Sequence, residues 1–134
     1  MGAVAAGLLI ESVSSDIYAT LPCLPEVPTG KFGTIYEIRS YELHPGGALE
    51  AACRGWDEVI AVRLGLAPIT AVMHSIGGVV PRLVHIYPYR SLAHRDEIRD
   101  AAVATGLWPP KGGSGRNRVM RCEIAVPAAF SPIC

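Results

Sequence analysis

The stretch from Leu83 to Pro110 limits most tightly what this chain can become. Leu83-Val84-His85-Ile86-Tyr87-Pro88-Tyr89 is a β-branched and aromatic run stopped by proline, the mark of a strand. Arg90-Ser91-Leu92 opens a charged helical segment with Ser91 as N-cap, and Thr105-Gly106 halts it before Leu107-Trp108-Pro109-Pro110. Within that helix Leu92, Ile98, Ala101 and Ala102 are expected to face inward, while Arg95, Asp96, Arg99 and Asp100 stay in water. A strand that feeds directly into an amphipathic helix needs a sheet for that helix to cover.

The rest of the chain supplies it. Thr34 to Leu43 alternates as a strand, with Ile35, Glu37, Arg39 and Tyr41 on one face and Tyr36, Ile38, Ser40 and Glu42 on the other. After the turn His44-Pro45-Gly46-Gly47, Ala48 to Leu64 repeats apolar residues at helical spacing, Leu49, Ala52, Trp56, Val59 and Ile60 among them. Glu50, Arg54, Asp57 and Glu58 form its solvated stripe, Gly65 reads as its C-cap, and Pro68 bars a restart. Ile69 to Ile76 and Val79 to Tyr87 then make a hairpin across Gly77-Gly78. After the loop Lys111 to Arg116, Asn117 to Val126 is a last strand with Met120, Cys122 and Ile124 on one face. The order β-α-β-β-α-β is an α+β, ferredoxin-like arrangement, an antiparallel sheet with both helices on one face and the other face bare.

Upstream, Met1 to Ser12 can be drawn as a short helix and Ser14 to Leu21 as a strand, before Pro22, Pro25, Pro28 and Gly30 break regular structure. Residues 1–33 therefore read as an N-terminal arm and Pro-rich linker, 34–127 as the domain and 128–134 as a C-terminal tail. Ile17-Tyr18-Ala19-Thr20-Leu21-Pro22 echoes Ile124-Ala125-Val126-Pro127, so the arm is read as the surviving end of a preceding repeat.

Composition narrows the function classes. In 134 residues, 50% hydrophobic and 18% charged, a single domain has more apolar surface than it can readily hide, so an oligomer is expected. Twelve basic residues balance twelve acidic ones, and Arg116, Arg118 and Arg121 lack interleaved aromatics, so neither nucleic acid nor an anionic membrane is an expected partner. Cys23, Cys53, Cys122 and Cys134 show no zinc spacing and read as reduced thiols. The apolar start, Met1 to Ile10, is too short to span a bilayer and lacks a basic flank, so the expected location is the cytoplasm.

Two stretches resemble the NIPSNAP domain family. Ile35-Tyr36-Glu37-Ile38-Arg39-Ser40-Tyr41-Glu42-Leu43-His44-Pro45-Gly46 is similar to that family's opening strand, Tyr-Glu-Leu-Arg-x-Tyr-x-Leu-x-Pro-Gly. Val84-His85-Ile86-Tyr87-Pro88-Tyr89-Arg90-Ser91-Leu92 is similar to its Val-His-Leu-Trp-Pro-Tyr-x-Ser-Leu, followed by matching Arg95, Arg99 and Trp108-Pro109-Pro110. The resemblance runs from Thr34 to Pro127 and departs in the second hairpin, where Val72-Met73 replaces aromatic residues. It implies a homodimer of the dimeric α/β barrel type, two bare sheet faces meeting around a shared interior. The wider group holds cofactor-free monooxygenases, haem-degrading enzymes and stress proteins, so the fold alone selects no activity.

The candidate site residues each have a plain structural reading beside the functional one. Glu37 and Arg39 share a face that is a candidate for the barrel interior, as catalytic or ligand-gripping groups or as a structural ion pair. His85 alternates onto one face with Tyr87 and is either a general base or a satisfied core histidine. Arg39, Tyr41, His74, His85 and Tyr87 make up the expected ligand-binding set, with His74 near His85 across the hairpin. Two histidines without a spaced carboxylate or cysteine do not make a metal site, and no motif calls for a cofactor. Trp56 and Trp108 read as packing and loop anchors. The sequence therefore favours a non-enzymatic homodimeric module for a protein partner or small apolar ligand. The alternative is a cofactor-free, monooxygenase-like barrel enzyme acting on an aromatic or polyketide-like substrate through His85 with Glu37 or Arg39.

Overall fold

Strands of period two and helices of period 3.6 alternate along the chain as the sequence implies, and they close into one antiparallel sheet under two helices. The structure, a computed structural model, describes residues 11–112 and 114–127. Its elements are β1 (Ile17–Thr20), β2 (Ile35–Leu43), α1 (Ala48–Leu66), β3 (Ala71–Gly77), β4 (Arg82–Tyr89), α2 (Leu92–Ala104) and β5 (Asn117–Ala125). The sheet order is β1-β3-β4-β2-β5. Strands β2 to β5 with α1 and α2 form the α+β ferredoxin-like unit, and β1 joins it as an extra edge strand antiparallel to β3. The helix drawn over Met1 to Ser12 and the tail 128–134 fall mostly or wholly outside the described residues.

Several boundaries move for identifiable reasons. Gly65 is not a C-cap: α1 runs through it to Leu66 and ends at the extended Ala67, whose N–H reaches the carbonyl of Arg63 at 3.3 Å. Its start is sharper, because Gly46 and Gly47 both adopt positive φ, 78° and 65°. Pro88 does not stop β4. The carbonyl of Ile86 accepts from Thr70 on the β3 side, so the missing N–H of Pro88, two residues on, faces that same side beyond the start of β3 at Ala71. There is no ladder bond there to lose. Val79 and Val80 lie in the turn, exposed, so β4 begins at Arg82 rather than Val79.

The core lies between the sheet and the helices. Trp56 and Ile60 of α1 pack with Leu43, Val72, Leu83 and Tyr87 of the strands. Burying such side chains stabilises by about 1.5 to 3 kcal/mol each. In α2 only Ala102 is buried; Leu92 is 58% exposed and Ala101 is also exposed, contrary to the inward stripe expected for them. Ser91 caps α2 as read, its hydroxyl accepting from the His94 N–H. Asp57 and its stripe are solvent-facing. No helix among the described residues is long and apolar enough to cross a membrane.

Candidate functional site

Register decides which side chains meet. Val72, His85, Arg39 and Cys122 are paired successively across β3, β4, β2 and β5, and therefore stand in one row on one sheet face. The next row carries Tyr87, Glu37 and Ile124. This is the face that α1 and α2 cover, since the Trp56 ring lies 4.4 Å from that of His85 and Arg95 of α2 reaches Glu37. The expectation that Glu37 and Arg39 face a barrel interior is thus corrected: they lie between the sheet and its own helices. The reason is Glu37 itself, two of whose cationic partners, Arg95 and Arg99, are on α2.

Glu37 is fully buried. Its Oε1 accepts from Arg39 Nε at 2.6 Å, from Arg95 Nη2 at 3.1 Å and from the Cys122 thiol at 3.0 Å, and its Oε2 accepts from Arg95 Nε at 2.8 Å. Arg99 adds a longer ion pair at 3.8 Å. Burial alone would raise the carboxyl pKa, but the hydrogen bonds from Arg95, Cys122 and Arg39 outweigh it and hold the group at about 2. Arg95 does not stay in water, as its place in a charged helical stretch suggested, because a buried carboxylate is costly unless paired. The Cys122 thiol is pushed up by burial and by its bond to Glu37, so it is a neutral donor.

His85 stands opposite Arg39. The Tyr87 hydroxyl meets its Nδ1 at 3.3 Å, while Nε2 is buried with no partner among the described residues. The reading of a fully satisfied core histidine is corrected to a half-satisfied one. Burial, and then the charge of Arg39, lower its pKa to about 3, so the ring is neutral near pH 7. Burial likewise pushes the Tyr87 phenol up. Tyr41 accepts from Arg39 Nη1 at 3.3 Å and its ring lies 5.1 Å from His85.

These residues border an open cavity of about 410 Å³. Arg39, Tyr41 and His85 form its sheet side, Ala52 and Trp56 its helix side, and Trp108 through Gly112 with Arg116 its rim. The size is that of a small-molecule site. Of the expected ligand-binding set, Arg39, Tyr41 and His85 border this cavity together. Tyr87 is one layer behind, and His74 pairs with Leu83, two positions along from Val72 opposite His85, and does not line the cavity. Sequence reasoning missed Trp56, Trp108, Lys111 and Arg116 as lining residues. Trp56 was visible only as a core position, and nothing in the sequence joins the rim loop to β2. Arg63, 3% exposed, sits behind Trp108 with its guanidinium 5.0 Å from the Tyr87 ring centroid and Nη2 donating to Tyr89. Among the described residues no group of three His, Cys, Asp or Glu is placed to hold a metal ion, and Cys23, Cys53 and Cys122 are free thiols.

Comparison with known proteins gives the same architecture in named relatives. Protein NipSnap of Drosophila melanogaster is 32% identical over 110 residues, covering 81% of this chain and 40% of that protein. The Dictyostelium discoideum NipSnap homolog is 29% identical over 107 residues, or 77% of this chain and 48% of that protein, so the chain spans less than half the length of either. A crystal structure of an Agrobacterium tumefaciens protein, 31% identical, matches 73% of this chain and 97% of its own with a TM-score of 0.64. An uncharacterized NIPSNAP-like domain protein from Burkholderia xenovorans, 28% identical, matches 73% of this chain and 88% of its own, also at 0.64. The sequence model of the NIPSNAP family matches residues 36–132, and the chain belongs to the NIPSNAP family.

Proposed function

We propose that this protein is a homodimeric, non-enzymatic module that holds a small, largely apolar ligand in the cavity between sheet and helices. The observation that carries the reading is the cavity itself. It is preformed, lined by Trp56, Trp108, Tyr41 and Leu83, and has Arg39 and the His85 ring at its wall. An apolar chamber with a few convergent polar groups is the ordinary form of a ligand site.

The other sheet face supports the dimer. It carries Ile38, Met73 and Ile86 in partly buried positions and no helix among the described residues covers it, while Thr20 and Tyr36 at its end bind the linker through Pro25 and Phe32. Two such faces meeting would bury the roughly 1,600 Å² of a standard interface. The placement of β1 beyond β3, outside the four-strand ferredoxin order, supports reading residues 1–33 as an added arm, the end of a preceding repeat.

The free His85 Nε2 also favours a second reading, a cofactor-free enzyme with His85 as base. Its lowered pKa, about 3, weighs against this, because an effective general base titrates near working pH. The test combines light scattering with native mass spectrometry on protein purified from cells. A dimer mass carrying a non-covalent small molecule is expected. A monomer at micromolar concentration overturns the dimer, and tryptophan fluorescence unmoved across a library of aromatic compounds overturns the ligand site.

A further inference from the structure

The lining of the cavity is one-sided in charge. Arg39, Lys111 and Arg116 border it, and no aspartate or glutamate does. Glu37 lies behind Arg39 rather than in the cavity, and it is shared among Arg39, Arg95 and Arg99, with Asp96 taking one further bond from Arg95. Two carboxylates facing three guanidiniums leave a positive balance behind the wall. Arg39 spends Nε on Glu37 and Nη1 on Tyr41, and among the described residues Nη2 makes no hydrogen bond. His85 borders the same wall, but its Nε2 is buried away from the opening, so Arg39 Nη2 is the donor that the wall offers. A site that offers donors and positive charge, with no acid to compete, selects an anion.

The body of the ligand is set by the opposite walls. Trp56 and Trp108 meet edge to face with ring centroids 5.3 Å apart, and Tyr41 and Leu83 complete an apolar slot next to Arg39. A flat ring stacks there with its charged end toward Arg39 or toward Arg116 at the rim. We infer that the cavity takes an aromatic anion, of which an aryl carboxylate is the simplest case, with Arg39 and the rim cations holding the charge and the tryptophans the ring. The inference rests on the ligand-site reading above and adds the ligand's charge and shape to it.

The experiment is a tryptophan-fluorescence titration of the full chain with three probes: naphthoate, its neutral carboxamide, and acetate. Naphthoate is expected to saturate the signal with an affinity at least about tenfold above that of the carboxamide, and acetate is expected to leave it flat. Added salt should weaken naphthoate alone, since Lys111 is exposed and Arg116 is only half-buried. Arg116→Gln and Lys111→Gln should each bring naphthoate closer to the carboxamide, and a urea midpoint equal to the parent's shows that the variants are folded. Equal affinity for naphthoate and carboxamide would overturn the anion while leaving a neutral aromatic site intact. Binding by neither would remove the ligand-site reading together with the inference, and a response to acetate equal to that of naphthoate would overturn the aromatic requirement.

Discussion

Arg39 and His85 face each other across the β2–β4 ladder, so a permanent cation sits beside an imidazole that is 6% exposed. Burial first and the arginine second disfavour the imidazolium and lower its pKa from 6.5 to about 3. The unfolded chain therefore binds a proton between these values that the folded chain does not. Stability is fully present above pH 6.5 and falls as pH drops toward 3, by on the order of 4 to 5 kcal/mol in all and roughly 2 by pH 5. Urea midpoints measured at pH 7, 6 and 5 should show this slope, and His85→Gln should flatten it. Parallel pH profiles for the two proteins would mean that His85 is solvated or paired in solution.

Removal of the Glu37 charge should be more damaging than removal of any one arginine around it. Glu37→Gln leaves Arg39 without a counter-charge and Arg95 with Asp96 alone, beside a buried amide, at a cost of about 3 to 5 kcal/mol. Arg95→Met removes a side chain that is 21% exposed while Arg39 still neutralises the carboxylate, so it should cost less than half as much. Chemical denaturation of both variants at pH 7 checks the order. If Arg95→Met proves the costlier of the two, the carboxylate is held mainly by α2.

Two glycines predict opposite signs. Gly65 lies inside α1 with nothing within 4 Å of an added Cβ, so Gly65→Ala should stabilise by about 0.5 to 1 kcal/mol. A Cβ on Gly33 would come within 2.7 Å of the Tyr89 amide nitrogen and 2.8 Å of its carbonyl oxygen, both backbone atoms, so Gly33→Ala must push β2 and β4 apart and destabilise. Thermal melts of the two variants decide it. Loss of stability on Gly65→Ala would restore the C-cap read from the sequence.

Much of the fold was legible because the periods are clean. β2 and β4 alternate, α1 and the Ser91 cap repeat as helices should, and the split order of strands and helices leaves little choice of topology. The sidedness of the sheet was not legible. Both faces of β2 carry large apolar and polar residues, Ile35 and Tyr41 with Glu37 on one, Tyr36 and Ile38 with Glu42 on the other, so alternation shows two faces without saying which is covered. That information lies in Arg95 and Trp56, whose distance from β2 in the chain hides their contacts with Glu37 and His85. Arg39 and Tyr41 could be placed on one face because strand spacing aligns them, whereas the pairing of His85 with Arg39 is a matter of register between two strands. The rim, Trp108 to Arg116, was not, because loops carry no period.

The cavity can be closed without touching any hydrogen-bonding group. Ala52 is buried on the helix side of the cavity wall, and a larger apolar side chain there grows into open space rather than into packed core. Ala52→Leu therefore escapes the usual overpacking cost of about 1 to 3 kcal/mol and adds apolar contact with Trp56 and Leu83, so its stability should equal or exceed that of the parent. Ligand binding should fall by at least about tenfold, since the slot between Trp56 and Tyr41 is filled. The pair of measurements, a urea midpoint and a fluorescence titration with naphthoate, separates the alternatives. Binding retained by a stable Ala52→Leu protein would move the ligand out of this cavity, whereas a clear loss of stability would mean that the space beside Ala52 is already occupied in the folded chain.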